Sequence, residues 1–185
     1  MKVLSVNVGL PRLVEYNGEP VTTAIFKKPV TGKVRVGVSN LEGDRQADLR
    51  VHGGYAKAVY VYPSEHYAFW REELPEMKLL FAMFGENLTS EGLLETEVFV
   101  GDRLRIGTAE FIVTEPRQPC FKLGIRFGRV DIIKRFAASG RSGFYLAIEK
   151  TGELEAGDPI ELLSRKQNQP SIAKIVRSRL NLANR

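Results

Sequence analysis

Ala109-Glu110-Phe111-Ile112-Val113-Thr114 runs directly into Glu115-Pro116-Arg117-Gln118-Pro119-Cys120-Phe121-Lys122-Leu123-Gly124. The first six residues alternate and are rich in β-formers, which predicts a strand. Beyond the corner, Phe121, Leu123, Ile125 and Phe127 fit helix or strand equally well by periodicity. Pro119 favours the helix, because its fixed φ and missing N–H suit the first helical position. Cys120 is then expected in the first turn of a short helix, where unpaired N–H groups and the helix dipole favour an anion. Arg117, Lys122, Arg126 and Arg129 add positive charge nearby. Both influences favour the thiolate, which is a nucleophile and a soft metal ligand. The chain has one cysteine. A buried structural thiol is the competing reading, and the flanking prolines and basic residues keep a reactive or ligating thiol beside it on equal terms.

Outward from this corner the alternation recurs. Residues 2–8, 21–26, 33–38, 58–62 and 142–148 read as strands, and 98–107 as strand, turn and strand. Residues 10–20, broken by Pro11, Gly18 and Pro20, read as a loop. Helical spacing appears at 63–71, at 130–138 before Gly140, and at 171–180. About eight to ten short strands with two to four inserted helices predict a mainly β chain, folded as a closed or nearly closed β-barrel. Residues 1–165 are expected to form this domain, and 166–185 a short basic C-terminal helix. A chain of 185 residues suits one domain and buries roughly 70% of its unfolded surface, so it needs no disulfide or structural metal. A single cysteine rules out an internal disulfide and suits a reducing compartment. The opening residues are too short and too alternating for a signal peptide, and no stretch is long enough to span a membrane. A soluble cytoplasmic protein with no membrane partner is expected.

The stretch 41–55 is polar, lacks a sustained period and lies between two strands. Long ordered loops of this kind are often functional. Gly53-Gly54 permits a backbone nest for an anion, with a plain tight turn as the alternative. Asn87, within Phe84-Gly85-Glu86-Asn87-Leu88-Thr89, is either a turn residue or a hydrogen-bonding group for a ligand. His66 is expected on a helix surface or in the core. The net charge of +5 fits anionic small molecules, nucleic acid or membranes. There is no basic-aromatic motif of RRM type and no helix-turn-helix pattern. Tyr60, Tyr62, Tyr67 and Trp70 are expected to pack the core, so nucleic acid is not the expected partner. Dinucleotide fingerprints, Walker loops and EF-hands are missing. One cysteine and two histidines without ligand spacing argue against structural zinc. Only residue type supports a Cys120–His52 protease dyad.

Several segments then act together: Gly43-Asp44-Arg45-Gln46-Ala47-Asp48; His52-Gly53-Gly54 with Lys57-Ala58-Val59-Tyr60; Phe84-Gly85-Glu86-Asn87-Leu88; Gly101-Asp102-Arg103; Pro116-Arg117-Gln118-Pro119-Cys120; and Gly140-Arg141-Ser142-Gly143-Phe144-Tyr145. Each is weak alone, but in this order they are specific. The chain resembles the MOSC domain family, named for the C-terminal domain of molybdenum cofactor sulfurase, and most closely its YiiM-type branch. The resemblance implies a barrel like that of the pyruvate kinase barrel domain and molybdenum carried by molybdopterin. It implies reduction of small N-hydroxylated compounds, including hydroxylaminopurine bases, to amines. Cys120 matches the family cysteine, which would ligate molybdenum, and Lys27, Arg45 and Asn87 align with residues lining the cofactor pocket.

A phosphate and a dithiolene call for fixed positive charge and backbone donors. Lys27, Lys28, Arg45, Arg117 and the Gly53-Gly54 nest are the candidates, with His52 or Asp48 as proton donor. The sequence carries no flavin, haem or Fe–S motif. Electrons are therefore expected from a separate protein, by resemblance a flavoprotein reductase. One rival keeps the family and makes Cys120 a persulfide carrier of sulfur, or the chain a cofactor carrier. Another is a nucleic-acid-binding barrel. By the resemblance, relatives of this branch often carry a three-helix C-terminal appendage. Ser171-Ile172-Ala173 begins it here and the sequence ends at Arg185, so a truncated form is expected.

Overall fold

The computed structural model describes residues 1–47 and 54–183. Strand β1, Lys2–Val8, is followed by the hairpin β2, Arg12–Tyr16, and β3, Glu19–Thr23, then by β4, Lys28–Val30, and β5, Val34–Val36. A single 3-10 turn, Tyr55–Lys57, leads into β6, Val59–Pro63, and helix α1, His66–Glu73. Then come β7, Leu88–Glu91, β8, Arg103–Ile106, and β9, Ala109–Pro116. Helices α2, Phe121–Phe127, and α3, Ile132–Ser139, precede β10, Phe144–Lys150, β11, Gly152–Leu154, and β12, Ile160–Ser164, and α4, Ile172–Ala183, closes the description. Left-handed glycines end two of the helices, Gly128 after α2 and Gly140 after α3, where a Cβ would be penalised.

Eight strands form one mixed sheet in the order β12-β8-β9-β10-β6-β7-β1-β4. The β6–β7 pair is parallel and the others antiparallel. The expected closed or nearly closed barrel does not form. The sheet is open, because its edge strands β12 and β4 do not pair with each other. One bridge, Lys2 with Pro159, and bonds from Val3 N to Asp158 O (2.9 Å) and Ile160 N to Met1 O (3.0 Å) tie the starts of β1 and β12 without growing into a ladder. Closure needs a consistent tilt and stagger around the whole ring, which the number of strands does not specify. Edge strand β4 has three residues, and Pro29 within it has no N–H to offer a further strand.

The sheet separates two cores. Strand β6 is buried throughout, and its alternation sends Val59 and Val61 to one core and Tyr60 and Tyr62 to the other. The first core is aliphatic, built on residues such as Val3, Val36, Leu104, Ile106, Val113 and Leu146. The second is aromatic and lies under α1, α2 and α3, with Tyr62, Tyr67, Trp70, Phe84, Phe127 and Phe136 in ring contact. The aromatics of 60–70 thus pack the interior, as their spacing indicated. Each large side chain buried this way contributes about 1.5–3 kcal/mol.

Residues 10–20 are not a loop. They hold the β2–β3 hairpin, whose Asn17 and Gly18 both take positive φ (54° and 80°). That is the geometry of a two-residue hairpin turn. The basic tail helix is anchored by fully buried Ile172, whose N–H donates to Val98 O at 2.9 Å. Among the described residues no helix is long and apolar enough to cross a membrane.

Candidate functional site

Strand β9 delivers the chain to the Pro-Cys corner, where the Arg117 N–H donates to Gly143 O at 3.3 Å. Helix α2 begins two residues later than its sequence suggested. Pro119 lies before the cap and Cys120 is the N-cap itself, extended at φ −132° and ψ 170°. Its carbonyl accepts Leu123 N–H at 2.9 Å. Cys120 is half-buried and in no disulfide.

The thiol opens on a cavity of about 630 Å³, counting its mouth. Cys120, Arg117 and Lys122 come from the corner, Tyr60 from β6 and Tyr145 from β10. Lys27, Asp44, Arg45 and Asn87 come from the N-terminal half. With Lys57, five cationic side chains line this space against one carboxylate, that of Asp44. Such a cavity attracts an anion.

Asp44 is the hub beneath it. Its Oδ1 accepts the Gly9 N–H at 2.9 Å and pairs with Lys27 Nζ, and its Oδ2 accepts Asn87 Nδ2 at 2.9 Å. Asn87 in turn accepts the Tyr60 N–H at 3.1 Å and donates to Asn7 O at 3.3 Å. Lys27 and Asp44 are 8% and 2% exposed, so each is the compensation for the other's desolvated charge. Burial pushes the Lys27 pKa below its ordinary value, and Asp44 opposes that shift.

Arg117 is buried and lies over two rings, 4.8 Å from the centroid of Tyr60 and 5.4 Å from that of Phe136. Its Nη1 has no hydrogen-bond partner. Burial acts to lower the Arg117 pKa, but Tyr60, Tyr145 and Cys120 outweigh it and the net shift is upward. Burial also raises the Tyr60 and Tyr145 phenols against the opposing Arg117 charge. The guanidinium stays charged and the phenols stay neutral.

Of the residues singled out by sequence, Lys27, Arg45, Asn87, Arg117 and Cys120 line this one cavity. Lys28 does not, because the alternation that buries Lys27 leaves it exposed on β4. Gly54 has φ 77°, caps the 3-10 turn and is not part of the lining. Asp48, His52 and Gly53 lie outside the described residues. Arg129 turns away to Asp131 and Glu76, and Arg126 lies over Phe26. His66 forms a buried pair with Glu95 at 2.8 Å. Asp44, Lys57, Tyr60 and Tyr145 were not singled out as site residues. All four sit inside segments that carried the resemblance, but Tyr60 and Tyr145 read there as ordinary strand residues.

Among the described residues no group of three or more His, Cys, Asp or Glu is placed to hold a metal ion. A metal at Cys120 would therefore have to arrive with most of its own ligands.

The sequence model of the MOSC domain matches residues 48–161. Over 170 residues the chain is 45% identical to the uncharacterised protein YflK of Bacillus subtilis, covering 92% of this chain and 76% of that one. The crystal structure of YiiM from Geobacillus stearothermophilus superposes with a TM-score of 0.81 at 35% identity, covering 100% of this chain and 86% of that one. A Gibberella moniliformis protein named reductase is 34% identical over 183 residues, which is 96% of this chain and 32% of that protein.

Proposed function

This chain belongs to the MOSC domain family, in its YiiM-like branch, and from that premise we propose that it is a molybdenum-cofactor-dependent reductase of small N-hydroxylated compounds. Hydroxylaminopurine bases are the proposed substrate type, and the Cys120 thiolate is the proposed protein ligand to molybdenum. The observation that carries the reading is that Cys120 shares its cavity with five cations and one carboxylate. The residues fit the group. Molybdopterin brings a phosphate, which suits Lys27, Arg45 and Arg117, and a dithiolene, which supplies the sulfur ligands a single thiolate cannot.

Bound there, the cofactor would supply the two electrons that, with two protons, turn an N–OH group into N–H and water. Cys120 fixes the position of that chemistry. Asn87, in the cavity wall, holds the Lys27–Asp44 pair in place, its amide bonded to Asp44, Asn7 and Tyr60. Tyr60 and Tyr145 wall the cavity with neutral rings that exclude water. Asp48 and His52 are the proposed proton donors, and unchanged turnover in Asp48→Asn and His52→Ala would remove them. A separate flavoprotein is the proposed electron source. The relative named a reductase supports the class of reaction, although this chain spans about a third of that protein's length.

The test is turnover of N-hydroxyadenine with reduced benzyl viologen as the electron source, using protein from a host that makes the cofactor. Adenine is expected from the wild type and none from Cys120→Ala. No product from wild type that carries the cofactor would overturn the assignment of reaction.

A further inference from the structure

A second cavity, about 690 Å³ with its mouth, lies on another side of the Pro-Cys corner. Its apolar walls are Pro119 of the corner, Phe136 of α3, and Val176 and Leu180 of α4. Its charged residues are Arg117 and Arg179, and no acidic side chain lines it. Cys120, Lys27 and Asn87 do not reach it, so it is distinct from the thiol's cavity. Arg117 alone belongs to both.

The chemistry of this space is specific. Phe136 is fully buried and closes the inner wall, and the Arg117 guanidinium lies 5.4 Å from its centroid. The same side chain is more than nine-tenths buried and keeps an Nη1 with no partner. A buried charged donor left unpaired is costly and calls for an acceptor. Arg179, on the exposed face of α4, brings a second guanidinium to the same cavity. Planar guanidinium forks match phosphate and carboxylate.

We infer that this second cavity binds a small molecule that joins an apolar group to an anionic group, phosphate or carboxylate. The apolar part lies against Pro119, Val176 and Leu180, and Arg117 and Arg179 take the anion. Arg117 borders both cavities, whereas Arg179 lines only this one, so the Arg179→Gln titration separates this assignment from the one at Cys120.

The protein carries its own reporter. Trp70, the sole tryptophan, stacks on Phe136 with centroids 6.0 Å apart and rings 9° from parallel. Phenyl phosphate, benzoate and phenol are titrated into the full chain while Trp70 emission is followed. A saturable change is expected with phenyl phosphate or benzoate, and the tighter of the two names the anion. Phenol should bind about tenfold more weakly, as should either anion in Arg179→Gln. Ala137→Leu, which fills the cavity from α3, should remove binding. Circular dichroism confirms that both variants fold. No saturable change with either anion would overturn the inference. So would phenol binding as tightly as the anions, or titrations unchanged in both variants.

Discussion

Asn87 shows what one residue contributes and how much of it was visible beforehand. Its segment marked it as a ligand-binding or turn residue, and it does line the cavity. Its partners Asp44 and Asn7, 43 and 80 residues away, are what make it a brace, and no local pattern reveals contacts at such separations. Replacing Asn87 with Ala leaves Asp44 Oδ2, Asn7 O and Tyr60 N–H short of a partner in a buried setting. The expected cost is about 2–3 kcal/mol, read as a lower urea midpoint. A change within experimental error would contradict the brace. Cys120 was equally legible, because proline and basic neighbours are local features. The exposure of Lys28 was not, because the strand that turns it outward was masked by Pro29.

Short connecting elements hold the site in place. The 82–89 segment, which presents Asn87, is organised by Glu86. That carboxylate is fully buried and accepts Ala82 N–H (2.8 Å), Phe84 N–H (3.1 Å), the Thr89 hydroxyl (3.0 Å) and the Tyr67 hydroxyl. Burial raises its pKa, with those hydrogen bonds opposing. The folded state therefore holds the Glu86 proton to higher pH than the unfolded chain does. Its contribution is full below the ordinary Glu value and is lost as pH rises through the folded one. Unfolding free energy should fall across that window in the wild type and fall less in Glu86→Gln, measured by urea titration at several pH values. An equal slope in both would contradict this. The turn before β10 is similarly exacting. Gly143 has φ 62°, and a Cβ there would lie 2.4 Å from Val61 O. Its N–H binds Glu95 at 2.7 Å and its carbonyl receives Arg117 N–H. Gly143→Ala should lower stability by at least about 2 kcal/mol, and a wild-type thermal midpoint would refute that. Elements with clean alternation, such as β1, β6 and β9, were readable. The β2–β3 hairpin was missed although Asn17-Gly18 is a hairpin signal, because Pro11 and Pro20 flank it. Pro20 is tolerated because the hairpin stands as its own two-stranded sheet.

At the scale of the molecule, the sequence indicated many short strands with inserted helices, and that is correct. Closure was the error. Strand number and spacing are the same for an open sheet and a ring, and only long-range pairing decides between them. The open sheet has a consequence for cooperativity, because β6 carries residues of both cores and neither can loosen without it. Trp70 emission, reporting the aromatic core, and far-UV circular dichroism, reporting the sheet, should therefore lose signal at the same urea concentration. An earlier Trp70 transition would show the cores to be independent.

The assignment of a cofactor to the thiol is tested most directly by metal content. Wild type and Cys120→Ala are expressed side by side in a host that makes molybdopterin, purified, and analysed for molybdenum. About one molybdenum per chain is expected in the wild type, with most of it lost in the variant while the fold is retained. Wild-type protein without molybdenum, or a variant that keeps it all, would contradict ligation by Cys120.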